Sequence, residues 1–444
     1  MPTLFRISNP APAIALTLSL ACHGIAAGQT TDRAIFVANN GNLEGSITSF
    51  FVNEDGTLSF ADRLVTGERD SLQEPCPGCN ASTISITPDG QYLAVGHPAS
   101  NDASQAISII EVGRNAELTL VEQFFAPSSL LGVVWIDDRI LAATQSAGFA
   151  TTNTVNIFRF QPSGPSLTLQ DSTTTTGFTT DLAVDRERRR LFAQQTIANG
   201  VRSYSVAMNG SLTELDFLPL DNTYQLGLGA SADGTRLYAG GGISNGGNKV
   251  SGVAVDPETG ALSPIPGQPF DSGGSAPKQA VVSDDGLFVI AGHGSDATVR
   301  TFFADEQGAL TATGVSFDVG SQGTLGRVAT MDEFVFATDT STLGNGLMGV
   351  YSFTLGQSGE LQQNGPLYDT EGLAPNGIAV WNPVGAPCPG DLTGDGDVKV
   401  FDLLELLDAW GACADPGDCP ADLDRSGTVD VFDLLLLLEN WGGC

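Results

Sequence analysis

Ile84-Ser85-Ile86-Thr87-Pro88-Asp89-Gly90-Gln91-Tyr92-Leu93-Ala94-Val95 is the stretch that decides the fold. Two short runs of alternating apolar residues flank a Pro-Asp-Gly turn, the pattern of a β-hairpin. Variants recur down the chain. Leu228–Ala239 carries Ala232-Asp233-Gly234 in its turn, and Val281–Ala291 carries Asp284-Asp285-Gly286. Leu182–Ala193 has Asp185-Arg186-Glu187-Arg188 there, and Val328–Ala337 has Met331-Asp332-Glu333. Each copy is followed by a polar gap and a second hairpin, such as Gly252–Leu262. A four-stranded unit of roughly 40–50 residues repeated in series predicts an all-β propeller.

The units begin near Ala34, Ala81, Leu131, Thr180, Gln225, Lys278 and Gly326, which gives seven blades as the best count, with six or eight still open. The first unit lacks its innermost strand, because Ala34–Asn39 matches the second strand of the others. Asn376-Gly377-Ile378-Ala379-Val380-Trp381 has the missing pattern, so the last strand is expected to join the first blade. Closing the ring in this way removes exposed strand edges.

Composition narrows the function classes. Nineteen basic residues against 51 acidic ones leave a net charge of −32, which disfavours nucleic acid and anionic membranes as partners. An acidic coat suits solubility in salt and the binding of divalent cations. Arg6, the apolar run Ala11–Cys22 and the small residues Gly24-Ile25-Ala26-Ala27-Gly28 read as a signal peptide over residues 1–27, and hence as export to the cell surface or medium. No later stretch is long and apolar enough to span a membrane. Of seven cysteines, Cys22 leaves with that segment, and the remaining even number predicts disulfides in an oxidising compartment. Cys76-Pro77-Gly78-Cys79 has redox spacing, but it precedes a strand rather than opening a helix, which favours a small structural disulfide.

Val37-Ala38-Asn39-Asn40-Gly41, Phe51-Val52-Asn53-Glu54-Asp55-Gly56-Thr57-Leu58 and Ser85–Gly90 resemble the seven-bladed lactonase-like propeller family, whose best-known members are similar to 6-phosphogluconolactonases. The resemblance covers roughly residues 33–383 and rests mostly on hairpin chemistry. It implies a sugar lactone as substrate. Members with lactonase activity carry a Pro-His pair before an inner strand and an Asp-Leu-Gly stretch after the next, where this chain has Ala81-Ser82-Thr83 and Gly96-His97-Pro98.

A propeller over 28–383 and a short linker over 384–390 lead to a tail, 388–444, of different character. Cys388-Pro389-Gly390-Asp391 returns as Cys419-Pro420-Ala421-Asp422, and Val400-Phe401-Asp402-Leu403-Leu404 as Val431-Phe432-Asp433-Leu434-Leu435. Asp391, Thr393, Asp395, Gly396 and Asp402 occupy positions 1, 3, 5, 6 and 12 of a calcium loop; Asp422, Asp424, Ser426, Gly427 and Asp433 repeat the set. Calcium takes six to eight oxygen ligands, and alternate residues of a tight loop aim oxygens at one point. Asp397 and Thr428, at position 7, offer backbone carbonyls; Asp430 holds position 9 of the second loop, where the first has Lys399. An aspartate ahead of an apolar run is also a helix cap, a role that needs no metal. Two calcium sites are expected.

This duplicated loop–helix with Asp at position 12 resembles a type I dockerin. The resemblance implies docking to a cohesin-like or other extracellular protein, commonly in polysaccharide-degrading assemblies. Val400-Phe401 and Val431-Phe432 stand where many dockerins have small polar partner-reading residues. Leu434–Leu438 makes the second helix apolar nearly all round, for packing or for docking. Pairing Cys388 with Cys413 and Cys419 with Cys444 would staple each unit, although four cysteines allow three connectivities.

Catalytic groups are scarce. His97 and His293, the two histidines after the signal segment, each follow a glycine at the end of a second strand, and no nucleophile elbow is present. Asp181, Gln225, Lys278, Arg327 and Asn376 fall near the starts of innermost strands, where they can line the central channel, the default ligand site of a propeller. Arg186, Arg188, Arg189 and Arg190 read as a basic knob on a surface turn. Together these features lead to an exported propeller that binds or displays a ligand, anchored through a calcium-folded tail. A sugar-lactone hydrolase is the alternative, and an accessory role in polysaccharide degradation a second one.

Overall fold

The hairpin turn repeats atom for atom in three units. Gly90, Gly234 and Gly286 sit at φ 72°, 67° and 72°, a left-handed conformation that glycine adopts without steric cost. Each glycine N–H donates to the carbonyl three residues back, of Thr87, Ser231 or Ser283. The hydroxyl of that same residue donates to the turn aspartate, at 2.6 Å from Thr87 to Asp89 and 2.6 Å from Ser283 to Asp285. A Ser/Thr-x-Asp-Gly tetrad therefore satisfies its own backbone and fixes the register of the strands it joins.

The computed structural model describes residues 33–68, 76, 78–98, 106–125, 130–146, 153–196, 200–220, 225–241, 247–320, 323–340, 348–383, 390, 392–393, 397–413, 419–423 and 426–443. The expected signal segment lies outside these residues, as do Cys388, Asp391, Asp395, Asp424 and Cys444. Seven antiparallel sheets form a propeller. Blade 1 takes its innermost strand, Pro375–Trp381, from the end of the array and pairs it with Ala34–Asn40, Ala34 opposite Trp381 and Val37 opposite Ile378. The ring thus closes as its pattern predicts. The remaining innermost strands, in blade order, are Thr83–Ile86, Val133–Trp135, Thr179–Asp185, Gln225–Ala230, Pro277–Val282 and Leu325–Met331. Each lies against its neighbours around the ring.

The core lies between blades. Phe36, Ala38 and Ile47 of blade 1 pack on Ile84, Leu93 and Val95 of blade 2, and Ile35, Val37 and Phe50 pack on Phe334 and Phe336 of blade 7. Full burial of such side chains contributes about 1.5–3 kcal/mol each. Apolar residues on both faces of the inner strands are therefore as necessary as the hairpin turns.

The tail has its own small core of Val398, Leu406, Ala421, Val429 and Leu437. Helix α1 spans Val400–Asp408 and helix α2 spans Val431–Glu439. Gly411–Ala412, after α1, pairs with Thr428–Val429 of the second loop, and Gly442–Gly443, after α2, pairs with Asp397–Val398 of the first. This exchange corrects the expected disulfides. It carries Cys413 to the second loop, where its N–H donates to Gly427 O at 3.1 Å, and Cys413 bonds Cys419. The pairs Cys388–Cys413 and Cys419–Cys444 are thereby excluded. Cys76 and Cys79 are joined as expected and buried. No helix among the described residues is long and apolar enough to cross a membrane.

Candidate functional site at the channel mouth

Five innermost strands carry a register shift near their start, with Thr180, Leu226, Lys278, Gly326–Arg327 and Asn376 at the irregularity. A bulge bends the strand and re-aims the side chains beside it. Side chains near the starts of innermost strands tie four of the blades to the next. Thr83 Oγ1 accepts from Val133 N at 3.2 Å, Asp181 Oδ2 from Leu228 N at 2.9 Å and Gln279 Oε1 from Val328 N at 3.2 Å. Asn376 Nδ2 donates to Ser82 Oγ at 2.9 Å and Ser82 O at 3.2 Å.

Arg327 departs from this pattern. Its register position matches Asp181, Gly227 and Gln279, yet its guanidinium passes over two blades to reach Asp181 Oδ2 at 2.6 Å. Gly227 makes that path possible: a Cβ there would stand 2.6 Å from Arg327 Nη1. Asp181 is buried, with its oxygens accepting from Leu182 N and Leu228 N as well. Lys278, half-buried in blade 6, runs its stem along Gly294. Loss of hydration lowers its pKa to about 8, and the charge of Arg327 pushes in the same direction. Gln225 opens the inner strand of blade 5, but its side chain lies outside the described residues.

The histidines are buried within their own blades, although His293 lies opposite Pro277, the residue before Lys278. His97 is fully buried at the end of a second strand; Nε2 meets Ser108 Oγ at 2.8 Å and Nδ1 meets Cys79 O at 3.1 Å, and burial drives its pKa to about 4. His293 is equally buried, with Nδ1 on Thr298 O at 3.1 Å and its pKa also lowered, chiefly by burial.

The arginine cluster is no surface knob. Arg189 pairs with Asp137 at 2.6 Å, which binds blade 4 to blade 3, while Arg190 donates to Asp256 O at 2.9 Å and Arg188 to Asp233 O at 3.0 Å, which binds it to blade 5. Arg186 reaches Trp135 O and Ile86 O, both at 3.3 Å, the carbonyls that end the inner strands of blades 3 and 2. Its surface is open to solvent, yet protein crowds its guanidinium closely enough for lost hydration to lower its pKa, against the pull of Asp138. Both hold for a group inside a concave opening, here the end of the channel remote from Lys278. Carbonyls contributed by distant blades decide where these arginines go, and nothing near them in sequence announces it.

In the tail, Asp402 and Asp433 are fully buried and Asp422 nearly so. Asp402 Oδ2 accepts from Lys399 N at 2.8 Å as a helix cap, while Oδ1 accepts from both N and Oγ1 of Thr393 at 2.9 Å. Burial opposes ionisation of Asp402, and these three donors outweigh it, holding the pKa below the usual carboxylate value. Asp433 caps α2 through Asp430 N at 2.7 Å, and Asp430 accepts from Phe432 N at 2.8 Å. Asp422 accepts from Ser426 N at 2.9 Å and Gly427 N at 2.7 Å, and Ser426 Oγ donates to Thr428 O at 3.1 Å. Positions 1, 5, 6 and 7 of the second loop thus curl around one another, and positions 3 and 12 of the first are in contact.

No protein-family model and no curated protein matches this sequence. Solved structures do. The periplasmic gluconolactonase of Pseudomonas aeruginosa superposes with a TM-score of 0.61 at 18% identity, covering 79% of this chain and 99% of its own. A proposed 6-phosphogluconolactonase from Bacteroides uniformis gives 0.60 at 18% identity over the same shares, and a protein of unknown function from Desulfotomaculum acetoxidans gives 0.59 at 18%, covering 80% and 100%. The likeness is one of fold. Two of these three propellers carry lactonase names, and at such identity none transfers a residue's role.

Proposed function

We propose that the channel mouth bearing Asp181, Lys278 and Arg327 is a ligand site, and that its ligand is a hydroxylated lactone which the protein hydrolyses. The observation that carries this reading is the Asp181–Arg327 pair beside Lys278, a charged group on the bulged starts of inner strands. The lactonase names of the structural neighbours support it. Hydrolysis adds water to the lactone carbonyl carbon, breaks the ring C–O bond and places a proton on the departing oxygen. Negative charge develops on the carbonyl oxygen as water adds, and Arg327, held in place by Asp181, can donate N–H bonds to it. Proton release over a panel of sugar and aliphatic lactones tests the proposal. Turnover above the buffer rate, abolished by Arg327→Ala in a folded variant, is expected; no turnover of any lactone sinks it.

The tail carries a separate proposal: it binds calcium, and docks an exported propeller to an extracellular, cohesin-like protein. Oxygens of Thr393 and Asp402 in the first loop, and of Asp422, Ser426, Thr428, Asp430 and Asp433 in the second, suit a hard cation. Asp391, Asp395, Asp397 and Asp424 are further proposed ligands on sequence position. Docking is supported by two matched apolar faces, Val400, Phe401, Leu404 and Leu407 on α1 and Val431, Phe432, Leu435 and Leu438 on α2, all exposed. Calorimetric titration of the full chain with calcium tests the first step, and no heat would end it.

A further inference from the structure

We infer that the channel mouth selects a monoanionic ligand, a sugar acid or carboxylate-bearing lactone, whose carboxylate is taken by Lys278 while its hydroxyls and lactone carbonyl face Arg327. This deepens the proposed function, since it rests on the same site.

The argument is one of charge balance. Lys278 and Arg327 stand at the bulged inner-strand starts of adjacent blades, and both crowd Gly227, where a Cβ would press on Lys278 O and lie 2.6 Å from Arg327 Nη1. Bringing like charges together out of full hydration is unfavourable unless an anion offsets them. Asp181 supplies one such charge, and its 2.6 Å contact commits it to Arg327. Among the described residues Lys278 has no carboxylate partner. Other cations near the same face have one, such as Lys249 with Asp271 at 3.3 Å and Arg300 with Asp296 at 3.9 Å. In a chain of net charge −32, with 51 acidic residues, an unbalanced lysine beside a second cation is out of keeping with the rest of that face. The unbalanced charge is single, so it matches a carboxylate and not a phosphate dianion.

Glucuronate, its methyl ester and glucose 6-phosphate are the probes, with binding to the full chain read by calorimetry at pH 7. Glucuronate is expected to bind at least tenfold more tightly than either of the others. Lys278→Gln should abolish that preference and Lys278→Arg should retain it, with thermal melting reporting that both variants fold. Equal binding of acid and ester, tighter binding of the phosphate, an unchanged preference in Lys278→Gln, or binding of none of the three overturns the inference. Turnover of a panel of neutral and carboxylated lactones, run alongside, separates the two claims. Acid-selective binding without turnover leaves this inference standing and removes the hydrolase. Turnover of neutral and carboxylated lactones with equal KM does the reverse.

Discussion

The propeller and the tail are both built by repetition, but they keep different things. The blades keep their apolar faces and, in three of them, the Ser/Thr-x-Asp-Gly turn, and five of them vary at the bulged start of the innermost strand, where Asp181, Gly227, Gln279, Arg327 and Gly377 occupy one register position. The two halves of the tail keep aspartate at positions 1 and 12 and glycine at position 6, the aspartate at 12 being a buried third residue of each helix, while positions 3, 5, 7 and 9 differ between them. A scaffold tolerates change where side chains meet solvent in the channel. On the calcium proposal, each tail loop must aim several oxygens at one point, which accounts for the aspartates held at positions 1 and 12.

The sharpest way to break this comparison is to remove what each repeat protects. Asp402→Ala combined with Asp433→Ala should abolish the calcium response of the tail altogether, read as helical circular dichroism of the full chain with and without a chelator. The thermal transition of the propeller should stay where it is. A propeller that melts with the tail would show that the two regions share their stability.

Asp181→Ala tests the opposite side. It strands the guanidinium of Arg327 and leaves Leu228 N without its acceptor, at a cost of about 3–4 kcal/mol in chemical unfolding. Adding Arg327→Met should recover part of the loss, because the double variant buries no unpaired charge. Strictly additive losses would mean that the pair is not energetically coupled.

These two experiments also mark where the sequence was and was not legible. The turns, the seven blades and the closing strand Pro375–Trp381 could be read because each depends on neighbours in the chain and on a period of two. Lys278 and Arg327 could be placed at the channel because they sit at strand starts. Their partnership with Asp181 could not, since it joins residues 146 apart and depends on bulges and on the space left by Gly227. The partner of Cys413 is not legible in the sequence for a similar reason: the chain leaving α1 pairs with the second loop instead of returning to its own.

A pH titration sharpens the comparison within the propeller, where His97 of blade 2 is fully buried. His97 is neutral in the fold down to about pH 4, whereas the unfolded chain takes up that proton near 6.5. A depressed histidine pKa means that the unfolded state binds more protons between those values, so stability falls as the pH drops through this window. The loss should reach on the order of 2–3 kcal/mol at pH 4, and His97→Gln should flatten that part of the profile in urea unfolding. An unaltered profile in the variant would assign the acid sensitivity elsewhere.

Lys278 gives the smallest effect, with the same sign in a more alkaline window. Its pKa in the fold is about 8, below the 10.5 of a free lysine, so between those values the unfolded chain again holds the extra proton and wild-type stability rises with pH. Below pH 8 the fold carries an ammonium that burial and Arg327 disfavour. Lys278→Met removes it and should stabilise the propeller by about 1–2 kcal/mol at pH 7, after allowance for partial solvent screening. The gain should shrink as the pH climbs from 8 toward 10. A scaffold residue whose removal stabilises the fold is one the fold does not need, and that is the behaviour of a position kept for a ligand. A destabilising Lys278→Met at pH 7 would instead return Lys278 to the structural residues of the ring, with His97.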